Sequence, residues 1–194
     1  MQPPYHAIEE MLGMIDEPNR SRCVKILSDH RGLFQTARGS THNHQAWPGG
    51  YVDHVQEIMN IAAAFYRLLS AIRPLSFTLP DALLVLFLHD IEKPWAYAQD
   101  GAGQFVRRPD LQTQQGQKVF RDQKLKAYAV ALTPEQDNAI CYIHGELGDY
   151  TGQRRVIGPL GAFCHSCDFL SSRLWFDHPF ETGDPWTGAR RIRG

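Results

Sequence analysis

From Asp81 to Lys93 the chain reads DALLVLFLHDIEK, in which the unbroken apolar run Ala82 to Leu88 leads straight into His89-Asp90. A run with no polar face predicts a helix buried all round, in the middle of the molecule. Asp81 opens it and Pro94 stops it. An ionised carboxylate in such surroundings costs several kcal/mol unless it is paired or holds a metal. Two readings of His89-Asp90 follow. One is a hydrogen-bonded core Asp with the His stacked on it. The other is a pair of metal ligands, since consecutive helix positions differ by roughly 100° and can still converge on one ion.

The rest of the chain reads as helical. Residues 6–16 and 19–30 form two short helices parted by Pro18, and 31–50 are loop-like, with Gly32, Gly39, Pro48 and Gly49-Gly50. From Tyr51 to about Ile72 the apolar residues recur at helical spacing, with one face buried. Residues 97–116 form a loop or a short hairpin around Arg107-Arg108, and 117–132 form a helix. Thr133-Pro134-Glu135-Gln136 supplies a cap, a first-turn proline and a capping-box glutamine for the next helix, which carries Ile140, Ile143, His144 and Leu147. A loop over 148–158 leads to a last helix over about 159–175, with His165 and Asp168. The tail from Asp177, rich in Pro and Gly, is expected to lie extended over the body. The fold class is therefore all-α, a single domain over 1–194 with its core in about 44–175 and long loops.

With 194 residues, 43% apolar and 21% charged, the chain is long enough to bury a core without disulfides. Four cysteines, Cys23, Cys141, Cys164 and Cys167, and a start reading MQPPYHAIEE lead to the expectation of a reduced, cytoplasmic setting. A net charge of −1 argues against a domain that coats nucleic acid. The longest apolar stretch, 52–72, contains Asp53, His54, Glu57 and Arg67, so no membrane partner is expected. Nine histidines are the excess that asks for an explanation.

His54, at the start of one helix, His89-Asp90 on the next, and Asp168 on the last supply two imidazoles and two carboxylates from three helices. Taken singly, His54 and Asp168 read as ordinary helix-face residues. Together the four form a mixed nitrogen and oxygen set suited to Mn, Fe, Co, Ni or Zn better than to Ca. Cys164 and Cys167 lack a second pair at zinc-finger spacing and read as core residues.

The order His … His-Asp … Asp resembles the signature of the HD-domain superfamily, an all-helical group composed mostly of phosphohydrolases. The resemblance covers about 44–172. LHDIEK is similar to the superfamily's apolar-HD-x-x-K form, with Lys93 at the lysine position. HQAWPGGYVDH resembles the H-H-A-Y-x-G-G-L-x-x-H opening of HD domains similar to the YhaM-type 3′–5′ exoribonucleases and some relaxase-associated domains. His44, Trp47, Gly49-Gly50 and His54 fall on its marked positions, while Gln45 replaces its second histidine and Glu92 stands where many members have Gly. Asp168, in CDFLSSR, is similar to the A-D-x-L-S element; Asp149 and Asp177 are its rivals.

The resemblance implies a helical HD-like bundle with His54, His89, Asp90 and Asp168 around one tightly held divalent metal. Mn, Co, Ni, Fe or Zn would serve, Mg is admitted, and a second, weaker ion is an open alternative. It implies hydrolysis of a phosphate ester or anhydride in a nucleotide or a nucleic-acid strand end, with Asp90, Lys93 and His144 as catalytic groups. His144 in ICYIHGE falls where two-metal members place another histidine. His44, Trp47 and His165 are candidate substrate contacts, and Arg107 and Arg108 a candidate phosphate grip. Trp47 or Trp95 would stack on a base, and Arg190, Arg191 and Arg193 are either a basic contact or a solvated tail. Oligomers are common in the superfamily, so a homo-oligomer is admitted. Two alternatives stand beside this expectation: a di-iron oxygenase on the same fold, and a non-catalytic nucleotide-binding module.

Overall fold

The computed structural model describes residues 4–41, 43–99, 105–146, 149 and 151–177. It is all-α apart from one small hairpin. In chain order the elements are α1 (Ile8–Gly13), α2 (Asn19–Asp29), α3 (Arg31–Thr36), α4 (Gly50–Ile72), α5 (Leu79–Leu88), α6 (Lys93–Ala96), β1 (Tyr97–Gln99), β2 (Phe105–Arg107), a 3₁₀ turn (Pro109–Leu111), α7 (Gln114–Ala127), α8 (Pro134–Tyr142) and α9 (Pro159–Leu174). The strands pair antiparallel, with Tyr97 opposite Arg107. No helix among the described residues is long and apolar enough to cross a membrane.

α5 is the central element the apolar run calls for. Ala82 to Leu88 are all buried, and the helix packs against α1, α4, α8 and α9. It starts earlier than Asp81. Thr78 is the N-cap and accepts the Asp81 backbone N–H, while the Asp81 carboxylate accepts the Thr78 N–H at 2.9 Å. This reciprocal pairing satisfies two donors that a helix start otherwise leaves open. Thr133 and Gln136 repeat it on α8. The Gln136 amide also donates to Asp81 Oδ1 at 2.8 Å, which ties the starts of α5 and α8 together.

Four expectations about the elements need correction. α5 ends at Leu88, so His89 and Asp90 sit in the turn after the buried helix rather than on it. Pro94 explains this. It has no N–H for the Asp90 carbonyl and its ring crowds that carbonyl, which instead accepts the Lys93 N–H at 3.0 Å. The loop over 31–50 contains α3, because Phe34 is fully buried and meets the Tyr51 ring edge-on at 5.3 Å. α7 covers 114–127 rather than 117–132. α8 ends at Tyr142, which leaves Ile143 as its C-cap and His144 in the turn before Gly145, whose φ is +105°. Leu147 and the tail beyond Asp177, with Arg190, Arg191 and Arg193, lie outside the described residues.

Candidate metal centre

Three elements converge on one point. α4 brings His54 on its second turn, the turn after α5 brings His89 and Asp90, and α9 brings Asp168. All four are buried. His54 Nε2 lies 3.1 Å from Asp168 Oδ1, His89 Nε2 lies 3.8 Å from the same oxygen, and His89 Nε2 lies 2.9 Å from Asp90 Oδ2. His144 joins from the turn after α8, its Nε2 3.6 Å from Asp90 Oδ1. Two sets therefore each bring three ligand atoms within 4.8 Å of one another: His54, His89 and Asp168, and His89, Asp90 and His144. They share His89.

These donors suit a divalent metal on two counts. His54 Nε2 and His89 Nε2 are buried and lack an aligned hydrogen bond, despite carboxylate oxygens at 3.1 Å and 2.9 Å. Close approach without alignment is what results when ligand atoms aim at a shared centre rather than at each other. The second count is tautomeric. His89 Nδ1 lies 2.8 Å from the Leu86 carbonyl oxygen, which only accepts, so Nδ1 carries the hydrogen and Nε2 the lone pair of the neutral ring. The His54 Nδ1–H faces Ser171 Oγ at 3.1 Å, and Ser171 gives its own hydrogen to the Glu57 carboxylate. His54 Nε2 is thereby left as a ligand atom too. Imidazole nitrogen with carboxylate oxygen is the donor set of Mn, Fe, Co, Ni and Zn sites.

For the carboxylates and His54 the charges agree with this. Burial alone would raise Asp90 and Asp168. For Asp90 the nearby His89 and Lys93 outweigh burial, and for Asp168 the two histidines do, so both carboxyls fall below the ordinary range. Burial keeps His54 low and hence neutral, whereas Asp90 and Asp168 raise His89 against it. The Lys93 ammonium, pulled down by burial, is pushed back above its usual value by Asp90. Glu92, next in the same turn, is pushed up to about 7 by burial and by Asp90.

Gln45, Glu57 and Ser171 form a layer behind His54 that the sequence reading missed. The Gln45 side-chain N–H₂ reaches Glu57 Oε2, Ser171 Oγ and the Ser171 carbonyl at 3.2–3.4 Å. Its carbonyl oxygen accepts from His44 Nδ1 at 2.8 Å. Gln45 is fully buried with φ +41°, and its backbone N–H reaches the Phe176 carbonyl, two residues beyond α9. Gln45 is therefore an outer partner of the Glu57–Ser171 pair behind His54. Gly50 is required beside it, since a Cβ there would stand 1.9 Å from the Gln45 carbonyl oxygen. A buried Glu four turns before a helix end, and a Ser three residues after Asp168, carry no signal of their own in sequence.

A cavity of about 260 Å³ opens over the ligands, lined by Asn43, His44, Asp90, Lys93, His144, His165, Asp168, Phe169, Ser172 and Arg173. It gathers the expected Asp90, Lys93, His144, His44 and His165. Trp47, Arg107 and Arg108 are not among its lining residues. Trp47 is buried and donates its indole N–H to Asp53 on α4 at 2.7 Å, so its ring is packed rather than presented. Arg108 pairs with Asp110 at 2.7 Å, and Arg107 sits in β2 opposite Tyr97. Trp95 packs between His30, Phe34 and Phe120, with Lys124 Nζ 3.9 Å over its ring. Cys164 and Cys167 are buried core residues. A larger cavity of about 550 Å³, between Phe77, Asp81, Glu135, Asn138 and Arg155, contains none of the candidate ligands.

Comparison of the chain with models of known protein families, with curated proteins and with solved structures gave no match in any of the three.

Proposed function

We propose that this protein is a metal-dependent phosphohydrolase of the HD-domain kind, acting on a phosphate ester or anhydride of a nucleotide. The observation that carries the reading is the convergence of two tautomerically committed imidazoles and two buried carboxylates beneath an open cavity with a lysine in its wall. His54, His89, Asp90 and Asp168 would hold the ion, with His144 completing the adjoining set. A bound divalent metal supplies a water of lowered pKa and Lewis-acid polarisation of a phosphoryl oxygen.

The chain's own groups have separate tasks. Asp90 belongs to the second ligand set, with His89 and His144, and holds Lys93 Nζ at 2.6 Å, which fixes a cation at the cavity wall to offset phosphate charge. His44 is pushed down to about 4 by burial first and by Lys93, so it meets substrate as a neutral imidazole and orients rather than protonates. His144 stands at the mouth, 48% exposed, where it reaches both the Asp90 carboxylate and an incoming group. Lys93, held above its usual value by Asp90, is a protonated group at this wall. The net charge of −1 favours a small nucleotide over a long strand.

The test is a metal-by-substrate screen. Metal-stripped protein receives Mn, Co, Ni, Zn or Mg, and each sample is offered bis(p-nitrophenyl) phosphate, nucleoside mono- and triphosphates, and a short single strand. The expected result is metal-dependent turnover that falls by about 10³ or more in Asp90→Ala, the scale at which a lost metal ligand removes the chemistry. Tight metal binding without turnover would overturn the reading. An iron-specific absorption band under air would then move the reading to the di-iron oxygenase.

A further inference from the structure

Not all of the cavity serves the metal ligands. Its floor is the buried pair Asp90 and Asp168, while its mouth is made by exposed residues: Asn43, His144, Phe169 and Arg173. At about 260 Å³ it is smaller than the roughly 300–1,000 Å³ of sites that enclose a whole drug-sized ligand. It has room for a phosphoryl group and a sugar, and whatever else the substrate carries must lie across the rim.

The rim is ordered for such a task. His165, Phe169 and Arg173 follow at intervals of four residues along one face of α9. The Ile143 carbonyl oxygen holds His165 Nδ1 at 2.6 Å, and the His165 ring lies 6.2 Å from that of Phe169. At the other end of this row the guanidinium carbon of Arg173 lies 5.8 Å from the centroid of the Phe169 ring. Phe169 is 51% exposed, so much of an aromatic side chain is open to solvent at the mouth of a polar cavity. Among the described residues Arg173 has no carboxylate partner, whereas Lys93, the other cation of the lining, is engaged by Asp90.

We propose that Phe169 and Arg173 form a recognition rim for a nucleoside triphosphate. With the phosphoryl nearest the sugar deepest in the cavity, the base and the outer phosphates both emerge at the same mouth. The base stacks on Phe169, and an outer phosphate takes the fork of Arg173. The placement of the deepest phosphoryl rests on the phosphohydrolase reading; the rim contacts do not. This assigns base recognition to Phe169 rather than to Trp47 or Trp95, and the phosphate grip to Arg173 rather than to Arg107 or Arg108.

The experiment is a calorimetric titration of the full chain with adenosine triphosphate and with inorganic tripolyphosphate, turnover being followed in the same samples. Wild type, Phe169→Ala and Arg173→Gln are compared; both positions are exposed, and circular dichroism confirms their fold. Phe169→Ala is expected to weaken the nucleotide by about tenfold while changing tripolyphosphate by less than about twofold, as loss of a stacking contact requires. Arg173→Gln is expected to weaken both by about fivefold or more. Nucleotide binding by either variant within about twofold of wild type, or no nucleotide binding by the wild type, would overturn the rim, whether or not the protein hydrolyses phosphate esters. Tighter binding of a short single strand that depends on the same two residues would overturn the triphosphate in favour of a strand end. Variant-sensitive binding without hydrolysis would leave the rim standing and remove the phosphohydrolase reading.

Discussion

Ser171 shows how a residue with no chemistry of its own sets the behaviour of another. Its hydroxyl gives its hydrogen to Glu57 and takes the hydrogen of His54 Nδ1, while Gln45 donates to it from a third side. The chain of donors leaves His54 Nε2 as an acceptor pointed at the metal position. Ser171→Ala is therefore expected to weaken metal affinity by about 10–100-fold, the usual effect of losing an outer partner of a ligating histidine. It should also cost about 1–3 kcal/mol of stability, because the buried Glu57 and His54 lose a partner. Metal titration and thermal unfolding of the variant check the two effects separately, and unchanged affinity would mean that Ser171 does not orient His54.

The start of α5 is the element on which the site hangs, since α5 delivers His89-Asp90. Asp81 caps it and also takes the Gln136 amide from α8. Burial pushes its carboxyl up, but the hydrogen bonds from Thr78 and Gln136 outweigh this, so its folded pKa lies below the ordinary value. A depressed carboxyl stabilises the fold above its unfolded pKa of about 3.9, and that stability is lost as pH falls through the folded value. Asp81→Asn should therefore lower Tm at pH 7, with the gap to the wild type closing below about pH 4. Paired melting curves from pH 3 to pH 8 measure it, and a gap that persists in acid would assign the loss to packing instead.

At the scale of the whole molecule, the centre joins segments far apart in sequence. α4, the turn after α5 and α9 bring His54, His89 and Asp168 together, and the turn after α8 adds His144 beside His89 and Asp90, so an ion in the first set ties three parts of the fold together. Metal that binds only the folded chain adds about 2.7 kcal/mol at roughly 100 times its Kd. For a chain of this size that raises Tm by roughly 5–10 °C. A chelator should reverse the rise, and Asp168→Ala should abolish it. An identical Tm with and without metal in the wild type would count against a metal centre at this point.

The apolar run 82–88 and the capping pattern at Thr133 were legible because each depends on a few consecutive residues: seven without a polar face call for burial, and Thr-Pro-x-Gln starts a helix wherever it stands. His89 and Asp90 could be picked out because ionisable groups after an apolar run need a reason to be there, whereas His54 and Asp168 were picked out only by their order in the resemblance. What the linear chain could not reveal is which groups share a wall. Nothing local distinguishes Phe169 and Arg173 from any exposed helix pair, or Arg107-Arg108 from a phosphate grip. Only the packing of α9 against α4 and α8 places the first pair at the mouth of the cavity, while the second lies on and beside a hairpin strand outside its lining. The same holds for Gln45, Glu57 and Ser171, whose hydrogen bonds span as many as 126 residues. Helix periodicity and caps arise within one or two turns of chain and belong to the sequence. Convergence of side chains from distant helices arises from how those helices pack, and the tertiary structure alone decided it.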